Sequence, residues 1–155
     1  MLKGDFPFYP GYIRLAGEIT AKAGLKQLRN WHGLQQIRRT NTAMIEKYFN
    51  KAGLLLWPKQ SEANVTMLRY PLLVRKKSEI VNQAGKQGLD VAGWYISPVH
   101  PLQGDDLAKV GYRKGSCRKA EAMINQLIHL PTGLSLNEHR LEAMIKIICR
   151  IINID

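Results

Sequence analysis

The sequence predicts an α+β fold, a small antiparallel or mixed sheet packed with helices and preceded by a two-helix hairpin. Three observations carry that expectation. Two consecutive stretches between Leu15 and Gly53 repeat apolar residues at helical spacing. Residues 65–74 alternate as a strand does. A short helical pattern and a second strand-like run follow at once, a compact sequence of elements that suits a mixed layer better than a large parallel sheet.

In chain order, residues 1–14 form an aromatic, turn-rich arm. Phe6, Phe8, Tyr9 and Tyr12 stand among Gly4, Pro7, Pro10 and Gly11, which block regular structure. Aromatics so placed are costly to leave in water and predict packing against a partner chain or a further domain. Residues 15–53 form the hairpin. In its first helix Ala16, Ile19, Ala23 and Gln27 share one stripe beside Ala21, Leu25 and Leu28, and the small residues allow a close helix approach. Trp31-His32-Gly33 is expected to break it. The second helix places Leu34, Ile37, Asn41, Met44, Ile45 and Tyr48 on one face. Gln35, Arg38, Arg39, Glu46 and Lys47 fall mainly on the other, and Gly53 suits a left-handed C-terminal stop.

The α+β portion, residues 65–155, follows a connection containing Pro58. In the strand 65–74, Tyr70, Leu72 and Val74 alternate with Arg69; Pro71 has no N–H to donate, so the strand lies at an edge or bulges there. Ser78 is expected to cap a helix over 79–87, with Gly88 closing it, and residues 89–96 read as the second strand. Asp106 starts a short helix. An apolar helical stripe runs through Ala120, Ile124 and Leu127 until Leu130-Pro131 stops it. Ser135 and Glu138 have capping-box spacing for a last helix that buries Leu141, Met144, Ile145, Ile148 and Ile152. Composition does not change along the chain, so residues 1–155 read as one domain.

Composition narrows the function. The chain holds 155 residues, enough for a real core, and no apolar run approaches the ~18 residues of a membrane span. The N-terminus has no apolar signal core, and Cys117 and Cys149 are too few for a disulfide framework or zinc site, so reduced thiols in the cytoplasm are expected. A formal charge of +11 favours anionic partners. The basic residues are dispersed, however, and no nucleic-acid motif accompanies them; a solvated basic surface is the plainer reading and nucleic acid is not the expected partner.

Among chemically capable residues, His32, His129 and His139 lack the spacing of metal ligands and read as surface or packing residues. His100 differs. Pro98 and Pro101 stiffen its loop, and Trp94 and Tyr95 lie just upstream, the surroundings of a substrate contact. Cys117, within the apolar stripe, reads as a small buried side chain despite Arg118 and Lys119 beside it. The turn Gly111-Tyr112-Arg113-Lys114-Gly115 could favour a phosphate, but lacks the Gly-Lys-Ser/Thr of a P-loop.

Several motifs occur in an order that resembles the C-terminal portion of the DegT/DnrJ/EryC1/StrS sugar aminotransferases. They are Ala21-x-x-Gly24-Leu25-x-Gln27-Leu28, Arg38-Arg39, Tyr95-x-x-Pro98-x-His100, Gly115-x-Cys117-x-x-Ala120-Glu121 and Leu130-Pro131-Thr132. The resemblance covers the chain from about Gly11 onward. It implies the C-terminal domain of a fold-type I aminotransferase, working with pyridoxal 5'-phosphate on a nucleotide-linked keto sugar, in a homodimer with sites at the subunit interface. It also implies that the Schiff-base lysine and phosphate loop belong to a large N-terminal domain, or a full-length homologue, so that this chain binds no cofactor by itself and is inactive alone. His100 and Tyr95 carry over as substrate-facing residues. Arg14 takes the role of the arginine in the family's Gly-x-Asn-x-Arg loop if that loop is one residue longer here. The rival reading is a basic anion- or nucleic-acid-binding module without enzymatic activity.

Overall fold

The structure, a computed structural model, describes residues 17–52 and 65–152. Six helices and two strands occur among them: α1 (Glu18–Arg29), α2 (Trp31–Lys51), β1 (Arg69–Leu73), α3 (Lys77–Lys86), α4 (Asp106–Lys109), α5 (Arg118–Ile124), β2 (Leu127–Pro131) and α6 (Glu138–Ile152). This is the α+β arrangement expected, with an antiparallel sheet. The aromatic arm, Arg14, Gly53 and the Pro58 connection lie outside the described residues.

β1 and β2 pair antiparallel with Tyr70 opposite Leu130 and Leu72 opposite Ile128. Alternation turns these four side chains to one face, where all are buried. Onto that face pack Ile45 and Phe49 of α2, Ile80 and Ala84 of α3, and Leu141, Met144, Ile145, Ile148 and Ile151 of α6. The stripe predicted for α6 is therefore real at Leu141, Met144, Ile145 and Ile148, while Ile152 is only partly buried. Ile147 and Ile151 widen it, because the helix is covered by both α2 and α3.

Pro71 sits where its missing donor does no harm. Its partner across the ladder is His129, whose N–H and C=O both bond Ala92 on the other side, at 2.8 and 3.0 Å. The Pro71–His129 pair therefore exchanges no ladder bonds, and β1 is the edge strand.

Several local expectations are corrected. Only Asn30 separates α1 from α2; Trp31, His32 and Gly33 are already helical. Glu46, assigned to the solvent side, is buried. α1 buries no residue, and Ile19 and Leu28 are 86% and 67% exposed, so its stripe stays open to solvent among the described residues. Residues 89–96 do not form a strand beyond the Ala92–His129 bridge, since the Tyr95 carbonyl is taken by a lysine side chain instead of a ladder partner. Leu127 belongs to β2 and not to a helical stripe, because α5 ends at Ile124 and the chain then extends to pair with β1. Lys76, not Ser78, precedes α3, with no side-chain cap.

Candidate functional site

The sheet face turned away from the core is built by the same alternation. With Tyr70 and Leu72 inward, Arg69 and Pro71 share the opposite face with Pro131 and His129. Residues 93–100 lie across this face as a strap. The Arg69 guanidinium carbon sits 4.6 Å from the centroid of the Trp94 ring, a cation–π contact. Trp94 stacks on His129 at 6.2 Å with an interplanar angle of 21°. Tyr95 meets His129 at 5.3 Å and presents an edge contact to His100 at 5.5 Å. Trp94, His129, Tyr95 and His100 thus make a continuous run of rings.

The sequence-predicted pair, Tyr95 and His100, is brought together here, and both remain exposed to solvent. An open apolar groove lined by Val99, Pro101, Leu102, Val110 and Tyr112 adjoins His100. Arg14, the third predicted site residue, lies outside the described residues.

Two anchors fasten the strap. Lys77, the first residue of α3, sends its Nζ to the carbonyls of Tyr95 at 2.8 Å and Ile124 at 2.9 Å, tying the strap to the end of α5. Burial holds that amine below the usual lysine range. Its route depends on Gly93. A Cβ there would lie 2.8 Å from Lys77 Cε and 3.1 Å from Val81 Cγ2, too close for either to stay. The second anchor is His129, expected at the surface or in plain packing but found 9% exposed beneath Trp94 and Tyr95. Burial lowers its affinity for a proton, and the nearby Arg69 and Lys77 cations reinforce the shift. Its Nδ1 has no hydrogen-bond partner, and neither has the buried Nε of Arg69. The Arg69 Nη2 is satisfied by Asp90 Oδ1 at 2.6 Å.

Sequence reasoning missed His129, Arg69 and Lys77. The available signal for His129 was the pair of apolar residues, Ile128 and Leu130, that flank it at strand spacing, although the segment reads equally as the end of a helix.

Other candidates resolve differently. The Gly111–Gly115 turn is organised from within: Glu121 Oε1 accepts from the Tyr112 hydroxyl and the Gly115 N–H, each at 2.6 Å. The Tyr112 bond and the Gly115 N–H hold this carboxyl below the usual range, so an internal anion occupies the place a phosphate would take. Cys117 is exposed, not buried, because it precedes α5 in place of lying on its inner stripe. Among the described residues no group of three or more His, Cys, Asp or Glu could hold a metal.

The model of the "DegT/DnrJ/EryC1/StrS aminotransferase family" matches residues 10–149. No curated protein matches the chain. Among solved structures, the chain is similar to the sugar aminotransferase CalS13 from Micromonospora echinospora, with a TM-score of 0.60 at 18% identity. The similarity covers 86% of this chain and 35% of that protein, so the chain spans about a third of its length.

Proposed function

The chain belongs to the DegT/DnrJ/EryC1/StrS aminotransferase family, and on that footing we propose that it forms the substrate-facing wall of a pyridoxal-phosphate-dependent aminotransferase. The substrate class is a nucleotide-linked keto sugar. The observation that carries this reading is the contact between Tyr95 and His100, two exposed polar rings on a strap fastened from beneath by His129 and Lys77. Such rings offer hydrogen bonds to sugar hydroxyls together with flat apolar surface, the mixture that orients a polar ligand. Arg14 is assigned to the same substrate from the partner subunit of a homodimer, in the cytoplasm.

Pyridoxal phosphate, when bound, supplies the electron sink for moving an amino group and needs a lysine, an acidic partner and a phosphate cradle. The described residues do not fit it. Lys77 is the desolvated amine beside the strap, yet its Nζ is committed to two main-chain carbonyls. The nearby carboxylate, Asp90, is paired with Arg69. We therefore assign the lysine and phosphate cradle to a large domain outside this chain, and route no chemical step through the group.

Two measurements test the reading. Incubation with pyridoxal phosphate should give no new absorbance near ~400–430 nm and no borohydride-trapped lysine adduct; one specifically trapped lysine overturns the division of labour. In calorimetric titration with a UDP-linked hexose, His100→Ala should weaken binding about tenfold, the loss of one or two hydrogen bonds. Binding that His100→Ala and Tyr95→Phe both leave unchanged, or no binding by the unaltered chain, removes the assignment of this wall.

A further inference from the structure

His129 is an anomaly on its own terms. A buried imidazole nitrogen without a partner carries a desolvation penalty that an apolar side chain of similar size would not incur. It is also the point on which the strap rests, touching both Trp94 and Tyr95, while Tyr95 in turn touches His100. The charged and titratable groups around it are Arg69 from β1, Lys77 from α3 and Tyr95 from the strap, with His100 on the other side of Tyr95. Asp90, the carboxylate of this cluster, is engaged by Arg69 at 2.6 Å. A proton added to His129 would create a third cation beside Arg69 and Lys77, which the nearby Ala92 backbone offsets only in part.

We propose that His129 is a proton-operated latch: the neutral ring holds residues 93–100 against the sheet, and the protonated ring releases them. The inference rests on this packing alone and does not depend on the substrate assigned above. In the released state the imidazole reaches water and regains its ordinary proton affinity. Proton affinity is therefore higher in the released state, so acid favours release and alkali favours closure. The transition falls below about pH 6.5, the ordinary imidazole value. The elements beneath are not involved, since α2 and α6 pack on the opposite face of the sheet, through Tyr70, Leu72, Ile128 and Leu130. Release would displace Tyr95 and His100 together, since both ride on the strap.

The test uses Trp94 as reporter in a Trp31→Phe/Trp57→Phe background, titrated from about pH 8 to about pH 5 with far-ultraviolet circular dichroism in parallel. The expected result is a sigmoidal change in Trp94 emission, reversible, with a midpoint below about 6.5 and no loss of helix signal. His129→Asn should abolish the sigmoid and His100→Gln should keep it. In the unaltered chain the His129 ring proton followed by nuclear magnetic resonance should titrate at the same midpoint, which keeps the test decisive if His129→Asn folds poorly. A sigmoid that survives His129→Asn, one that vanishes in His100→Gln, one that coincides with helix loss, or a His129 signal that does not titrate in this range overturns the latch.

Discussion

Thr132 sits at the end of β2 with no exposed surface, and its hydroxyl serves two sides at once. Its Oγ1 lies 2.7 and 2.8 Å from the carbonyls of Met67 and Leu68, and it accepts a bond from Arg38 Nη1 at 3.0 Å. Asn41 Nδ2 completes the knot by donating to the carbonyls of Thr132 and Gly133. Thr132→Val keeps the shape and removes the hydroxyl, taking a donor from the half-buried Met67 carbonyl and an acceptor from Arg38, while the Leu68 carbonyl keeps its Arg38 bond. It should destabilise the chain by about 1–3 kcal/mol in urea denaturation. An unchanged midpoint would show that the neighbouring groups find other partners. None of these bonds was legible in the sequence, because their partners stand from 64 to 94 residues away. His129 was hidden for the same reason: its partners Arg69 and Trp94 come from β1 and the strap. The proximity of Tyr95 to His100 was legible because both lie in one short segment with prolines that limit its conformations.

At the scale of elements, helix interiors were easier to read than helix ends. The stripe of α6 follows directly from residues three and four apart meeting on one face, and so does the burial of Ile45 on α2. Its cap does not. Ser135 and Glu138 have the spacing of a capping box, but the first α-helical bond runs from Leu141 N–H to the Asn137 carbonyl. Asn137 Oδ1 accepts the N–H of Arg140 at 2.9 Å, and Glu138 turns away to the Tyr48 hydroxyl. The Ser135–Glu138 spacing predicted the wrong cap: Glu138 is engaged by Tyr48 of α2, and Asn137 caps the helix instead. Asn137→Ala should cost about 1 kcal/mol, whereas Ser135→Ala should stay within about 0.5 kcal/mol of the parent, both read from urea midpoints. Equal losses would return the capping role to Ser135. Strand β2 failed in the opposite way. Five residues with one histidine and a terminal proline carry little intrinsic preference, and their state is set by the ladder partner, β1.

Over the whole molecule, charge sets the response to solvent. The chain carries a formal +11, and the ion pairs of the described residues have at least one well-exposed partner, so each contributes little. Repulsion among the unpaired cations dominates at low ionic strength. Raising sodium chloride from about 20 to about 200 mM should therefore raise the urea midpoint, because screening shortens the range of that repulsion to about a nanometre. A midpoint that falls with salt would mean that attractive pairs outweigh it. The sequence by itself determined the family, through the order of its motifs, and the α+β class and most of the buried stripe of α6, which rest on local periodicity; Pro71 narrowed β1 to an edge or a bulge, and the ladder decided for the edge. Only the tertiary structure decided that His129 and Lys77 hold the strap, that Glu121 fills the basic turn, and that Asn137 caps α6. Those outcomes depend on which distant group arrives first at an unsatisfied donor, acceptor or ring, and that is a property of packing and not of spacing along the chain.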